Sequence, residues 1–254
     1  MVHYRRALEI DPDFAPAMAH LARSEARAQR NVDGDERRLA RADALVGRAL
    51  ALDPSLPSVL EAAADLRGNR FDYRGAAELY RRLIDDRPRD HQLWDQLCWS
   101  LGYAVPPQLE EATAACDRAL ALQPDFHPAF YHRSRVHALA GRLGAARADL
   151  DRLEVLAPRS TLAASGRYWV AMAAGTPAEA LAELEPLPRK NLELAWRAMA
   201  LGAAGDLDRA FAELDAALAA GYRDRDDLRE GRFWAPLRGD QRWASTLRRR
   251  GLEP

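Results

Sequence analysis

Residues 118–129 read RALALQPDFHPA, and this phrase decides the fold because versions of it return along the chain. RALEIDPDFAPA begins at Arg6, RALALDPSLPS at Arg48, RLIDDRPRDHQ at Arg82 and RLEVLAPRSTL at Arg152. The phrases share one proline at the same place: Pro12, Pro54, Pro88, Pro124 and Pro158. Successive prolines stand 42, 34, 36 and 34 residues apart. A recurring period of this length is typical of stacked repeats, each a small unit of secondary structure.

A second pattern precedes the proline in each complete repeat. In Ala76-x3-Tyr80-x2-Leu83-x4-Pro88, apolar side chains follow the alanine at helical spacing. The same spacing starts at three further alanines: Ala42, Ala112 and Ala146. Residues four apart lie on one face of a helix, and an alanine there lets a second helix approach closely. Because proline cannot continue a helix, the pattern predicts pairs of helices that end at the proline.

The period, the alanine spacing and the closing proline together resemble the tetratricopeptide repeat (TPR) family. The resemblance implies an all-α fold, a right-handed superhelical solenoid of antiparallel helix pairs with a C-terminal capping segment. We predict a repeat array at residues 1–222, with a truncated first repeat at 1–12 and repeats closing near residues 54, 88, 124, 158, 188 and 222. Capping helices are predicted at 223–254. The charged stretch at 31–38 is predicted as a longer loop or extra helical turns, and the copy at 161–188 departs from the pattern.

The C-terminal phrase FWAPLRGDQRW, from Phe233 to Trp243, resembles the closing segment of bacterial TPR regulators. Such proteins often carry a transcription-factor, cyclase or kinase domain before their repeats, although Gln241 and Trp243 depart from the usual proline and phenylalanine. At the other end, Met1 falls within a predicted second helix. We therefore expect the chain to be cut from a longer protein, and we expect its uncovered N-terminal face to be a candidate surface for self-association.

Composition and motifs favour binding over catalysis. Net charge is −1 with 30% charged residues, which predicts no general attraction to nucleic acid or to an anionic membrane. No catalytic, cofactor or metal motif is recognised, so we predict a protein that is not an enzyme. No signal peptide or apolar spanning run is recognised, which favours a cytoplasmic location. Cys98 and Cys116 are interpreted as small buried side chains in a reducing compartment.

The TPR resemblance also implies where a partner would bind, because the first helix of each repeat lines the concave groove in that family. Counting from the repeat prolines places nine candidate partner-binding residues there: Arg23, Asp65, Asp95, Trp99, Tyr131, His132, Arg135, Trp169 and Trp196. For each tryptophan alone, burial between neighbouring first helices is the favoured interpretation. The set together favours an exposed aromatic groove, since such rings supply large contact areas.

Two functions are consistent with these patterns. The first is a non-catalytic scaffold that binds a protein or peptide in the concave groove. The alternative is a regulatory or sensor module at the C-terminus of a larger bacterial signalling protein. The Lys and Asn side chains with which chaperone-binding members hold a peptide carboxylate are replaced here by Glu61, Asp65, Asp95 and Trp99, so binding of a chaperone tail is not expected.

Overall fold

The computed structural model describes residues 1–28 and 36–253, and this part of the chain is all-α, without a strand. Contacts divide the chain into two compact units, Met1–Leu93 and Trp94–Pro254. Within each unit, consecutive helices pack as antiparallel pairs joined by short loops. The predicted all-α repeat of helix pairs is confirmed.

The described residues of the first unit, 1–28 and 36–93, form five complete helices: α1 (Val2–Ile10), α2 (Ala15–Ala28), α3 (Glu36–Leu52), α4 (Pro57–Asn69) and α5 (Tyr73–Asp86). The sixth helix, α6 (His91–Tyr103), starts at the end of this unit and continues in the second. The repeats of the second unit add seven helices: α7 (Leu109–Leu122), α8 (His127–Leu139), α9 (Leu143–Leu156), α10 (Thr161–Ala174), α11 (Pro177–Glu183), α12 (Asn191–Ala203) and α13 (Leu207–Ala219). A C-terminal cap follows: α14 (Arg225–Glu230), a 3₁₀ turn (Arg232–Trp234), α15 (Ala235–Arg238) and α16 (Arg242–Arg248).

Local residues explain where the helices start and stop. The Asp72 carboxylate accepts a hydrogen bond from the Gly75 backbone N–H at 2.9 Å and so caps the start of α5. The Ser160 hydroxyl accepts from the Ala163 N–H at 3.2 Å at the start of α10. Gly175 ends α10 with φ +77°, a left-handed conformation that glycine adopts without a steric penalty. Short polar segments therefore separate the helices and let each one fold back on the last.

The alanine that starts each repeat spacing is completely buried in the second helix of its pair. Six such alanines have no exposed surface: Ala42, Ala76, Ala112, Ala146, Ala180 and Ala210. The spacing continues through the repeat at 161–188, where Ala180 is followed by buried Leu184 and Leu187 although α11 has just seven residues. A repeat that departs from the pattern in its prolines therefore keeps the same close contact between helices.

The charged insertion in the second repeat is partly helical. Glu36, Arg37 and Arg38 form the start of α3, which has 17 residues where α5 has 14. α3 is therefore three residues longer than α5, which is less than one helical turn. Residues 31–35 of the predicted insertion lie outside the described residues.

The first helix, α1, contacts α2 through an ion pair and through stacked rings, with the Tyr4 and His20 ring centroids 5.2 Å apart. It has no buried residue, and Val2 and Ile10 are largely exposed. Arg5 pairs with the buried carboxylate of Glu25 on α2 at 3.0 Å. The apolar surface of α1 consequently remains available for contact with another molecule or segment.

The C-terminal cap covers the end of the last helix pair. Trp234 and Leu237 are completely buried. The Trp234 indole N–H donates to the Asp227 carboxylate at 2.7 Å, which gives the buried ring a polar partner. A Leu237 methyl group lies so close to Gly202 on α12 that a Cβ built there would be 2.2 Å from it. Glycine at this position therefore lets the cap dock on α12.

The interpretation of the two cysteines as separate thiols is wrong. Cys98 on α6 and Cys116 on α7 are both fully buried, as expected, but they form a disulfide with an S–S distance of 2.04 Å. The Cα atoms are 5.4 Å apart, because the alanine-mediated contact brings the two helices of this repeat close together. The bond joins residues separated by 18 positions and so ties one complete helix pair.

Within residues 1–28 and 36–253, no helix combines the length and the apolar character needed to cross a bilayer.

Replacing both cysteines, Cys98→Ala with Cys116→Ala, should lower the free energy of unfolding by about 3 kcal/mol, because the open loop gains entropy in the unfolded chain. Urea unfolding of the oxidised protein, the reduced protein and the double variant measures this. Alkylation in denaturant should label no cysteine before reduction and both afterwards. Labelling without reduction, with equal stabilities for all three samples, would show that the thiols are free.

Candidate functional site

In the first unit, the predicted site residues lie on the first helices α2 and α4 and pair with one another. Arg23 donates to Asp65 at 2.8 Å through Nε and to Glu61 at 2.7 Å through Nη1. The Tyr80 hydroxyl donates to Asp65 at 2.6 Å, and Arg87 also pairs with Glu61. Burial lowers the pKa of Arg23, but the charges of Asp65 and Glu61 outweigh it and the pKa is raised. This half-buried network ties neighbouring first helices together.

In the second unit, seven rings form a continuous aromatic cluster: Trp99, Tyr103, Tyr131, Tyr168, Trp169, Trp196 and Phe233. Trp169 is at its centre, with ring centroids 6.5 Å from Tyr103, 5.5 Å from Trp196 and 5.8 Å from Phe233. The rings come from α6, α8, α10 and α12 and from the 3₁₀ turn of the cap. The cluster therefore runs across four successive first helices.

The expectation of a broadly exposed aromatic groove is wrong for three of the four predicted rings. Tyr131, Trp169 and Trp196 are 5%, 3% and 5% exposed. They are buried because each ring packs between neighbouring first helices; Trp196, for example, stacks on Tyr168 at 5.3 Å. Trp99 is half-buried, as are two rings that the sequence analysis did not select, Tyr103 and Phe233. The solvent-facing part of the cluster is thus Trp99, Tyr103 and Phe233.

Two hydrogen bonds link α6 to α8 beside the cluster. His132 Nδ1 lies 2.7 Å from an Asp95 carboxylate oxygen, and the Asp95 side chain is buried. The Tyr103 and Tyr131 hydroxyl groups lie 3.0 Å apart. Burial raises the pKa of Tyr131 well above its ordinary value, and contact with Tyr103 raises it further, so its hydroxyl stays protonated. Asp95 and His132 therefore hold the cluster in place from one side.

Arg135 is the charged centre of the aromatic cluster and is 7% exposed. Its guanidinium carbon lies 3.5 Å from the ring centroid of Tyr103 and 4.4 Å from that of Trp169, so the charge sits between two aromatic faces. Nη1 donates to the Gly102 carbonyl at 2.6 Å, whereas Nε is buried without a partner. Among the described residues, Arg135 forms no ion pair with a carboxylate.

Sequence reasoning missed the residues that the cap contributes to this site. Arg232 donates to the Leu139 carbonyl at 3.2 Å, across 93 positions of sequence, and its guanidinium lies over the Phe233 ring at 4.6 Å. The repeat period carries no signal for this contact because the cap lies outside the repeats. Tyr103 could have been found, since it is four residues after Trp99 and therefore on the same face of α6.

Asp224 at the start of α14 is a buried acid close to this site. Burial raises the pKa of its carboxyl to about 8, and the nearby charge of Asp227 adds to the rise. One carboxyl oxygen accepts a hydrogen bond from the Asp227 backbone N–H at 3.0 Å, which caps the helix. At neutral pH the folded protein therefore keeps Asp224 largely protonated.

The stability of the protein should fall as pH rises from about 4 to about 8. Between the ordinary value of 3.8 and the folded value of about 8, the folded state holds a proton that the unfolded state has released. The free energy of unfolding should therefore decrease by roughly 2 kcal/mol as pH rises from about 6 to 8, because of Asp224 alone. Asp224→Asn keeps an oxygen for the cap but does not titrate, so its urea unfolding should lose that slope. Equal slopes for the two proteins would mean that Asp224 is ionised when folded.

Comparison with known proteins identifies the fold. No family model matches the sequence, and no curated protein matches it. Among solved structures, the chain is similar to a tetratricopeptide repeat protein from Parabacteroides merdae, at 14% identity over 92% of each chain with a TM-score of 0.54. It is also similar to PilW, a type IV pilus biogenesis factor, at 21% identity over 82% of this chain and 93% of that one, TM-score 0.56.

A third similar structure is a thermophilic TPR protein from Thermus thermophilus, at 21% identity over 78% of this chain and 99% of that one, with a TM-score of 0.52. Taken with the repeat geometry, these likenesses show that the chain has the tetratricopeptide repeat fold. At these identities the likeness establishes the fold alone.

Proposed function

We propose that this protein is a non-catalytic scaffold that binds a protein or peptide partner on the face formed by its first helices. The observation that carries the proposal is the aromatic cluster of the second unit. Trp99, Tyr103 and Phe233 reach solvent beside Arg135, a buried cation without a carboxylate partner among the described residues. Partly exposed aromatic rings around an arginine supply the contacts that dominate the energy of many protein interfaces.

The nine predicted binding residues divide by exposure. Four are half-buried and could touch a partner directly: Arg23, Asp65, Trp99 and His132. Five are buried and would act by holding the face in shape: Asp95, Tyr131, Arg135, Trp169 and Trp196. Because Arg23 and Asp65 already pair with each other, we expect the second unit to supply more of the binding energy.

A non-catalytic role is supported by how the polar groups of this face are used. Asp65 accepts hydrogen bonds from Arg23 and Tyr80, and Asp95 pairs with His132. Asp65 joins α4 to α2 and α5, and Asp95 joins α6 to α8, so both carboxylates serve to position side chains. An acid or base in a catalytic site would instead need to point at a bound substrate.

Trp99→Ala should abolish capture of the partner from an extract of the source cell, because it removes a half-exposed ring from the binding face. Val155→Ala is a matched control, since Val155 is an apolar side chain 70% exposed on a second helix. Affinity capture with each variant, followed by quantitative mass spectrometry, measures this; circular dichroism confirms that each variant is folded. A folded Trp99→Ala protein that captures the same partners as Val155→Ala would contradict the proposal.

Self-association through α1 is a second proposal, supported by its exposed apolar residues Val2 and Ile10. A regulatory role within a larger signalling protein also remains a proposal, and its support is the C-terminal phrase from Phe233 to Trp243. Both proposals are compatible with partner binding, because α1 is not part of the aromatic cluster and the C-terminal phrase supplies Phe233 to that cluster.

The compartment is a further proposal. The sequence patterns favour a cytoplasmic location. The Cys98–Cys116 disulfide favours an oxidising compartment instead. Structural disulfides persist mainly in compartments where thiols are not kept reduced. We therefore propose that the protein works in an oxidising compartment.

A further inference from the structure

Arg135 differs from the other buried arginine of the second unit in having no opposite charge. Arg197 is 8% exposed, and it donates to the Leu184 carbonyl at 2.6 Å and pairs with Glu185 at 3.4 Å. Arg135 has the Gly102 carbonyl and two aromatic faces, but no carboxylate within ion-pair distance among the described residues. A buried charge without a counterion is costly, so it indicates a place where a counterion can bind.

A second cation of the same kind lies nearby. Arg232 is an exposed side chain, but partial desolvation of its guanidinium lowers its pKa, and the positive charge of Arg135 lowers the pKa further. Like Arg135, Arg232 forms no ion pair with a described carboxylate; it donates to the Leu139 carbonyl instead. Two neighbouring guanidinium groups repel each other, and an anion between them would relieve that repulsion.

The acids of the cap have other partners. Asp224 accepts a hydrogen bond from the Asp227 backbone N–H, and burial raises the pKa of its carboxyl to about 8. The Asp227 carboxylate accepts hydrogen bonds from the Tyr222 hydroxyl and the Trp234 indole, each at 2.7 Å. Arg135 and Arg232 therefore have no ion-pair partner among the described residues of the cap.

We propose that Arg135 and Arg232 form a carboxylate-binding site, which takes an acidic group of the partner segment that lies on the aromatic cluster. This inference rests on the proposed function. A guanidinium held between two rings offers only its edge, and that edge matches the plane of a carboxylate. The ligand enters beside Tyr103 and Phe233, the two half-buried rings next to the arginines, and their side chains move to expose Nε of Arg135.

The carboxylate can belong to an aspartate or glutamate side chain or to the end of a chain, and three matched dipeptides separate these sources. N-acetyl-Phe-Gln has a terminal carboxylate, N-acetyl-Phe-Glu-amide has a side-chain carboxylate, and N-acetyl-Phe-Gln-amide has neither. Each is titrated into the full-length ¹⁵N-labelled protein up to about 10 mM, since isolated fragments bind weakly. The Nε–H signals of Arg135 and Arg232 and the indole N–H signal of Trp169 report binding.

At least one of the two acidic dipeptides should shift these signals, and the neutral dipeptide should not; the dipeptide that binds more tightly identifies the source. Arg232→Gln should weaken binding by about tenfold, because it removes a charged hydrogen-bond donor. Circular dichroism checks that the variant is folded. Arg209→Gln, an exposed arginine on α13, should bind like the unmodified protein.

Equal shifts with the neutral dipeptide, no shift with any dipeptide, or unchanged binding by Arg232→Gln would overturn the inference. The affinity-capture experiment tests the proposed function separately. If that function is wrong, Trp99→Ala will capture the same partners as Val155→Ala. A protein that still needs Trp99 for capture but ignores all three dipeptides would keep its function and lose only this site.

Discussion

The contact that the rest of this structure depends on is the close approach of two helices across an alanine. In each of six second helices the alanine that starts the repeat spacing is fully buried. The residues four and seven positions after it are buried as well and pack beside it. A larger side chain there would force the helices apart, because packed interiors have no room for additional methylene groups. Repeating this contact places the first helices side by side at regular intervals, which lets one residue position form a row along a face.

Each unit has its own row of first-helix residues, and the two rows are held by different contacts. In the first unit the row is held by ion pairs, in which Arg23 bridges Asp65 and Glu61. In the second unit it is held by rings, with Trp169 at the centre and Arg135 between two aromatic faces. In the first unit each charge of the half-buried network has an opposite charge as its partner. In the aromatic cluster of the second unit, Arg135 has no carboxylate partner among the described residues. This difference is why the proposed binding site lies in the second unit, where the cap adds Arg232 and Phe233.

The helices and their register could be predicted because they follow from local rules of periodicity, capping and proline placement. The spacing from Ala146 predicted a buried alanine, and the structure has one. The sequence favoured burial for Trp169 and for Trp196 taken singly, but exposure for the set of rings, and the structure buries both tryptophans. A place on a first helix determines which face a ring lies on, but the side chains of the next helix determine whether it is covered.

Contacts between distant segments also had no signal in a single sequence. The disulfide joins residues 18 positions apart, and nothing in the spacing of Cys98 and Cys116 marks them as partners. Arg232 reaches Leu139 because the cap folds back, which no repeat pattern describes. The alanine spacing at Ala180 is present in the sequence, but the repeat lacks a closing proline at the usual place because Pro186 and Pro188 come early.

Buried alanines determine the spacing of the helices. A comparison of Ala146→Leu with Ala145→Leu tests this most directly. The two residues are neighbours on α9, but Ala146 is completely buried and Ala145 is exposed. We predict that Ala146→Leu lowers the free energy of unfolding in urea by about 1–3 kcal/mol or more, whereas Ala145→Leu changes it by less than about 0.5 kcal/mol. Equal stabilities for the two variants would show that the helices do not need a small residue at this position.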